Sequence, residues 1–213
     1  MLNFFKIAIG FIIAASFLVS VYFYPLMPDV IASHWGADGQ VDGYMGKFWG
    51  LFLMPTISLV MFLLFVFLPK IDPLKENIKK FRKEFDVFLL IIFLFMFYLH
   101  GLTIAWNMGA RFNMGQFMAP FMGILFFAAG VLMESSKMNW FIGIKTPWTL
   151  SSEKVWNKTH KLGGMLFKIS GIFAILGFVF PEYAIWLIIV PVIVSSIYSI
   201  LYSYLEYRKE KNI

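Results

Sequence analysis

The sequence contains no cysteine, which excludes disulfides, thiolate metal sites and a cysteine nucleophile. Charge is the second scarcity: Asp, Glu, Lys and Arg together make up 14 % of the 213 residues, and there are three histidines. So few charges cannot cover the surface of a soluble globule of this length. The signatures H-E-x-x-H and G-x-S-x-G and the phosphate-binding loop are also missing, so the familiar hydrolase and nucleotide-binding chemistries have no foothold. What fills the chain is apolar: 60 % hydrophobic and 20 % aromatic residues, with a mean hydropathy of +0.78. The lipid bilayer is therefore its solvent. The net charge of +6 is read as a topology signal, with no direct nucleic-acid partner.

Apolar runs near residues 7–24, 48–68, 87–107, 115–134, 165–181 and 184–205 each have about the length that crosses ~30 Å of hydrocarbon at ~1.5 Å per residue. The expected fold class is all-α: a polytopic membrane bundle of six transmembrane helices, forming one integral membrane domain over residues 1–213. Residues 1–70 hold the first two spans and an outer loop, and residues 135–164 form a cytoplasmic motif loop. The first run is read as a retained span, because Pro25, Leu26 and Met27 follow it where a signal peptide has a small-residue cleavage site. Of the 18 basic residues, all but Lys47 and Arg111 fall on one side of this layout, so both termini are expected in the cytoplasm.

Inside the spans, Ser195, Ser199 and Ser203 recur every fourth residue and mark one face of the last helix for close packing. Pro55, Pro120 and Pro191 each remove a backbone donor, so neighbouring helices or hydroxyl groups must satisfy the freed carbonyls. The many Phe residues of the third and fourth spans are read as lipid-facing bulk. His100 is the one titratable group well inside a span; a neutral hydrogen-bonded core histidine is favoured over a functional site. Glu134 closes the fourth span, where it either pairs with a lysine of the central stretch or is solvated.

Two polar stretches stand out. The outer loop, residues 24–47, has turn-forming Pro and Gly and an acidic balance from Asp29, Asp38 and Asp42. Asp38, Gln40, Asp42 and Gly43 match the first half of a calcium loop, but Trp49 occupies its last position and the match fails. His34 and Asp42 form a metal pair or, more commonly for one histidine among carboxylates, a structural hydrogen bond. The central stretch, residues 137–164, contains Trp140 and Trp148 around Gly143 and Pro147. It is followed by a short interfacial helix expected over 152–162, capped by Ser151 or Ser152, with Glu153 in its first turn and Gly163 or Gly164 at its end. Trp156 and His160 share one face of that helix, while Val155 and Leu162 are placed to enter lipid. His160 with Glu134 and Glu153 is the best catalytic cluster the sequence offers; no cofactor or bound metal is called for.

These stretches resemble the SdpI family of membrane proteins. The outer loop has the form P-x-x-x-x-x-H-W-G-x-x-G-x-x-D from Pro28 to Asp42. The inner segment has the form N-W-x-x-G-x-K-T-P-W-T-L-x-x-x-x-x-W-x-x-x-H-x-x-G from Asn139 to Gly163. Lys145 departs from the arginine common in relatives, replacing a bidentate fork with a point charge. The resemblance implies immunity to a secreted, membrane-active peptide toxin, and a receptor role in which a small cytoplasmic repressor protein is sequestered. On that reading Asp29, His34, Trp35 and Asp42 bind ligand outside. Asn139, Trp140, Gly143, Lys145, Thr146, Pro147, Trp148, Thr149, Trp156, His160 and Gly163 form the inner partner surface. A membrane-embedded metal-dependent hydrolase and a small-solute transporter are the alternatives.

Overall fold

The computed structural model describes residues 4–212; residues 1–3, part of the lead-in to the first span, and residue 213 lie outside it. In chain order the described elements are α1 (Phe4–Phe23), a β-hairpin of β1 (Val30–Trp35) and β2 (Val41–Gly46), α2 (Lys47–Ile71), the short α3 (Lys75–Lys79), α4 (Arg82–Asn107), α5 (Met114–Ser135), the short α6 (Pro147–Ser151), α7 (Glu153–Leu176) and α8 (Ala184–Lys211). The protein is an all-α polytopic membrane bundle. Helices α1, α2, α4, α5 and α8 are long and apolar enough to cross a bilayer. Helix α7 has the length, but Glu153, Lys154, Lys158 and Lys161 occupy its first half.

The outer loop, expected as turns, closes into an antiparallel hairpin. Ile31 and Ala32 of β1 are buried with Met27, Leu51 and Ile104, which fastens the hairpin to the ends of α2 and α4. Asn107 at the end of α4 completes the attachment: its side chain accepts from the Ala32 amide (2.8 Å) and donates to the Ala32 carbonyl (2.9 Å), pairing the free edge of β1 as another strand would.

Near the opposite end lies the largest apolar core, and it corrects the reading of the phenylalanines. Phe93 of the third span is buried there instead of facing lipid, with Phe81 and Phe85 before the span and with Ile9, Ile13, Ile78, Leu89 and Leu132. Position on the helix decided this, since residues 85, 89, 93, 96 and 100 fall on one face of α4.

The kink accounting at Pro55 closes as expected. Pro55 has no amide to bond the Leu51 carbonyl, and the Ser20 hydroxyl of α1 donates to that carbonyl at 2.7 Å. With its proton given to a carbonyl, Ser20 Oγ accepts from His100 Nε2 at 3.0 Å, and His100 is a buried, hydrogen-bonded core histidine.

The interfacial helix is the main correction. Ser152 does cap a helix, accepting from the Val155 amide, and Glu153 sits in its first turn. That helix does not stop at Gly163 or Gly164 but runs on unbroken to Leu176. The two glycines serve packing, not termination: a β-carbon on Gly164 would stand 2.6 Å from the Gly130 carbonyl oxygen of α5, and one on Gly171 would stand 2.5 Å from that of Gly123. Two glycine contacts seven residues apart on each helix thus press α5 and α7 backbone to backbone. Val155 is buried in the protein, not inserted in lipid. The serine face of α8 behaves as predicted: Ser195, Ser199 and Ser203 are all buried, Ser195 bonds Ser170 of α7 at 2.9 Å, and Ser203 bonds Thr146 at 3.1 Å.

Candidate functional site

The bundle has an ordered polar assembly at each end. At the hairpin end, the strands pair irregularly between residues 32 and 35. This places the His34 ring Nδ1 2.5 Å from Asp42 Oδ1, with the two side chains 72 % and 54 % exposed. Gly43 permits the pairing, because a β-carbon there would come within 2.8 Å of the His34 Cβ. Trp35 packs edge-on against Trp106 of α4, with centroids 5.7 Å apart, and the Arg111 guanidinium lies 4.0 Å from the Trp106 centroid. The buried Trp35 Nε1 has no hydrogen-bond partner among the described residues. Asp29 pairs with Lys47 at 2.9 Å, and the lysine's hydrogen bond holds its carboxyl below the usual range. The expected acidic loop is tied down group by group: Asp29 pairs with Lys47, Asp42 hydrogen-bonds His34, and Asp38 caps the Gln40 amide. Four expected residues meet around one hairpin, while Trp106, Asn107 and Arg111 were not singled out. The signal for Arg111 was present, since it is one of the two basic residues on that side.

At the other end, residues 136–152 fold into a plug over the start of α7. Asn139 is fully buried and organises the loop: its Oδ1 accepts from the Phe141 and Ile142 amides, and its Nδ2 donates to the Lys137 and Ile142 carbonyls. Thr146 and Thr149 form a reciprocal capping box at the start of α6. Trp156 stacks on His160 with centroids 3.9 Å apart, and its Nε1 donates to the Ser136 carbonyl.

His160 is tied at both nitrogens. Nδ1 donates to the Trp156 carbonyl at 2.9 Å, and Nε2 accepts from the Ile144 amide at 2.8 Å. Burial pushes its pKa down to about 4, so the ring is neutral at ordinary pH. Gly143 has φ +120°, a conformation L residues avoid, and any β-carbon there would run into His160 Nε2. The motif spacing thus encodes a self-satisfied plug. Asn139, Thr146, Thr149, Trp156, His160 and Gly163 are interior, whereas Trp140, Lys145, Pro147 and one side of Trp148, whose other side meets Tyr204, reach the surface.

The catalytic cluster does not assemble. Both ring nitrogens of His160 are committed to backbone, and Glu134 pairs with Lys168 at 2.7 Å, the lysine partnership considered for it. Among the described residues no group of three His, Asp or Glu side chains could hold a metal. Sequence reading passed over three acid and amide groups, two that fasten the plug and one that ties α8 to α7. The buried Asp72 accepts from the Trp140 amide, Asn77 donates to the Met138 carbonyl, and Glu206 of α8 takes Lys158 at 2.5 Å and Lys209 at 3.0 Å.

These features define a class: a multi-pass membrane protein of packed helices with a structured loop at each face. The sequence model of the SdpI/YfhL protein family matches residues 135–203, which cover the plug, α7 and most of α8. That of a domain of unknown function (DUF1648) matches residues 11–59, which cover the last two-thirds of α1, the hairpin and the first half of α2. The chain is 29 % identical over 199 residues to the Immunity protein SdpI of Bacillus subtilis (strain 168), spanning 93 % of each. No solved structure gives a significant match. The resemblance drawn from the two motifs is borne out as a similarity: the chain is a multi-pass membrane protein similar to the SdpI/YfhL family over residues 135–203 and to the SdpI immunity protein over most of its length.

Proposed function

We propose that the protein confers immunity to a membrane-active peptide toxin, with the hairpin outside the cell and the plug in the cytoplasm. The observation that carries this reading is the similarity to an immunity protein over nearly all of both chains, including both polar ends. Orientation follows from charge: with α7 as the sixth span, both termini lie inside with the basic face. His34, Asp42 and the Trp35 shelf then form the ligand surface, exposed and weakly held, with Asp29 at its edge. A cytoplasmic repressor would meet Trp140, Lys145, Pro147 and Trp148, while the buried motif residues hold that surface in shape. Signalling between the faces requires the toxin to bind one of two bundle states more tightly than the other. Helix α4 is bonded to the hairpin through Asn107, and its N-terminal end packs beside the plug.

The test is survival of a sensitive host expressing the protein and challenged with membrane-active peptides, including any encoded beside its gene. Wild type protects, and His34→Ala at equal membrane level does not. A Trp148→Ala variant that still protects but no longer retains a repressor at the membrane separates the two roles. Absence of protection against every such peptide overturns the proposal.

A further inference from the structure

Ten residues, 72–81, separate the end of α2 from the start of α4, and α3 lies among them. Pro69, Lys70, Lys75, Ile78, Lys79 and Arg82 line a cleft of about 340 Å³ at this junction. Four of the six carry positive charge and none is acidic. Pro69 and Ile78 are buried and give the cleft an apolar wall.

The neighbouring acids do not neutralise it. Glu76 pairs with Lys79 and Asp86 with Arg82, both at 2.7 Å, and Asp72 is committed to the Leu74 and Trp140 amides. Among the described residues neither Lys70 nor Lys75 makes a close ion pair, Lys75 acting on the Lys79-bound Glu76 only through space; the Lys70 ammonium lies 5.3 Å from the Phe67 ring centroid. Against these three acids the four cations still leave a net positive charge where two spans leave the apolar layer, the depth at which lipid phosphates lie.

We propose that this cleft binds the phosphate of an anionic glycerophospholipid, with Lys70 and Lys75 as the principal contacts and the apolar wall of Pro69 and Ile78 against the first acyl carbons. The site is independent of the immunity reading, since it needs only the position of the cleft at the span ends. Lys79 and Arg82 keep their carboxylate partners and supply the surrounding positive field.

The experiment is a lipid titration of the full-length protein in neutral detergent, read by native mass spectrometry and thermal stability, with short-chain phosphatidylglycerol, phosphatidylcholine and inorganic phosphate as separate arms. Phosphatidylglycerol is expected to bind and stabilise. Its affinity should fall at least about tenfold in Lys70→Gln/Lys75→Gln, as expected for two interfacial cations. It should be kept in Lys70→Arg/Lys75→Arg and in Lys154→Gln/Lys161→Gln, which removes the same charge elsewhere on the basic face. Equal binding of phosphatidylcholine, or equal loss in both glutamine pairs, overturns the site. Competition by inorganic phosphate as strong as by the lipid overturns the lipid as its occupant.

Discussion

The two polar ends use the same residue types in opposite ways. At the hairpin, His34 and Asp42 bond each other at the surface, and Trp35 leans on a tryptophan whose far face carries an arginine. In the plug, His160 is 1 % exposed, its nitrogens both bonded to backbone and its ring stacked on Trp156. One histidine remains available to a ligand; the other holds a loop together. A dense sequence motif therefore need not be a contact surface. It can equally be a set of buried polar groups that must all be satisfied at once for a loop to hold its shape beside a membrane.

Breaking the plug side of this comparison should have the largest effect. Gly164→Leu drives a side chain into the α5 backbone and should cost about 3 kcal/mol or prevent folding, seen as lost thermal stability in detergent. Close behind is His160→Ala, which leaves the Ile144 amide unpaired and removes the stack, for about 2–4 kcal/mol in the same assay. Acid sharpens the point. With the folded pKa at about 4 against 6.5 for the ordinary side chain, the neutral ring's contribution is complete above pH 6.5 and is lost as pH falls through 4. That loss amounts to roughly 3 kcal/mol and should be missing from the alanine variant.

Ser20→Ala tests the kinked α2 between the two ends. It leaves both the Leu51 carbonyl and His100 Nε2 without a partner, for about 1–3 kcal/mol. Smallest on stability is His34→Ala, below about 1 kcal/mol because the pair is exposed. If His34→Ala unfolds the protein as readily as His160→Ala does, the contrast between the ends is wrong.

Legibility divided along physical lines. Span positions were readable because hydropathy is local: the runs expected at 87–107 and 115–134 lie within α4 and α5. The carbonyl freed by Pro55 and the serine face of α8 were foreseen in kind, because a missing amide and a four-residue repeat each have a fixed consequence. Gly163 and Gly164 were misread because glycine ends a helix or lets two helices touch, and only a neighbour tells which. Asp72 and Glu206 sat outside both motifs, and nothing local marked the one as a fastener of the plug or the other as the tie between α8 and α7.

By itself, the sequence determined that this is a polytopic helical membrane protein with two specialised polar stretches, and which family those stretches resemble. Apolar run length and motif spacing are properties of the chain before it folds. Tertiary structure alone decided that the outer stretch is a hairpin, that α7 runs unbroken past its glycines, and that His160 faces inward while His34 faces out. Each of those outcomes depends on which backbone atoms arrive from elsewhere in the chain, and burial and hydrogen-bond partnership exist only once they have.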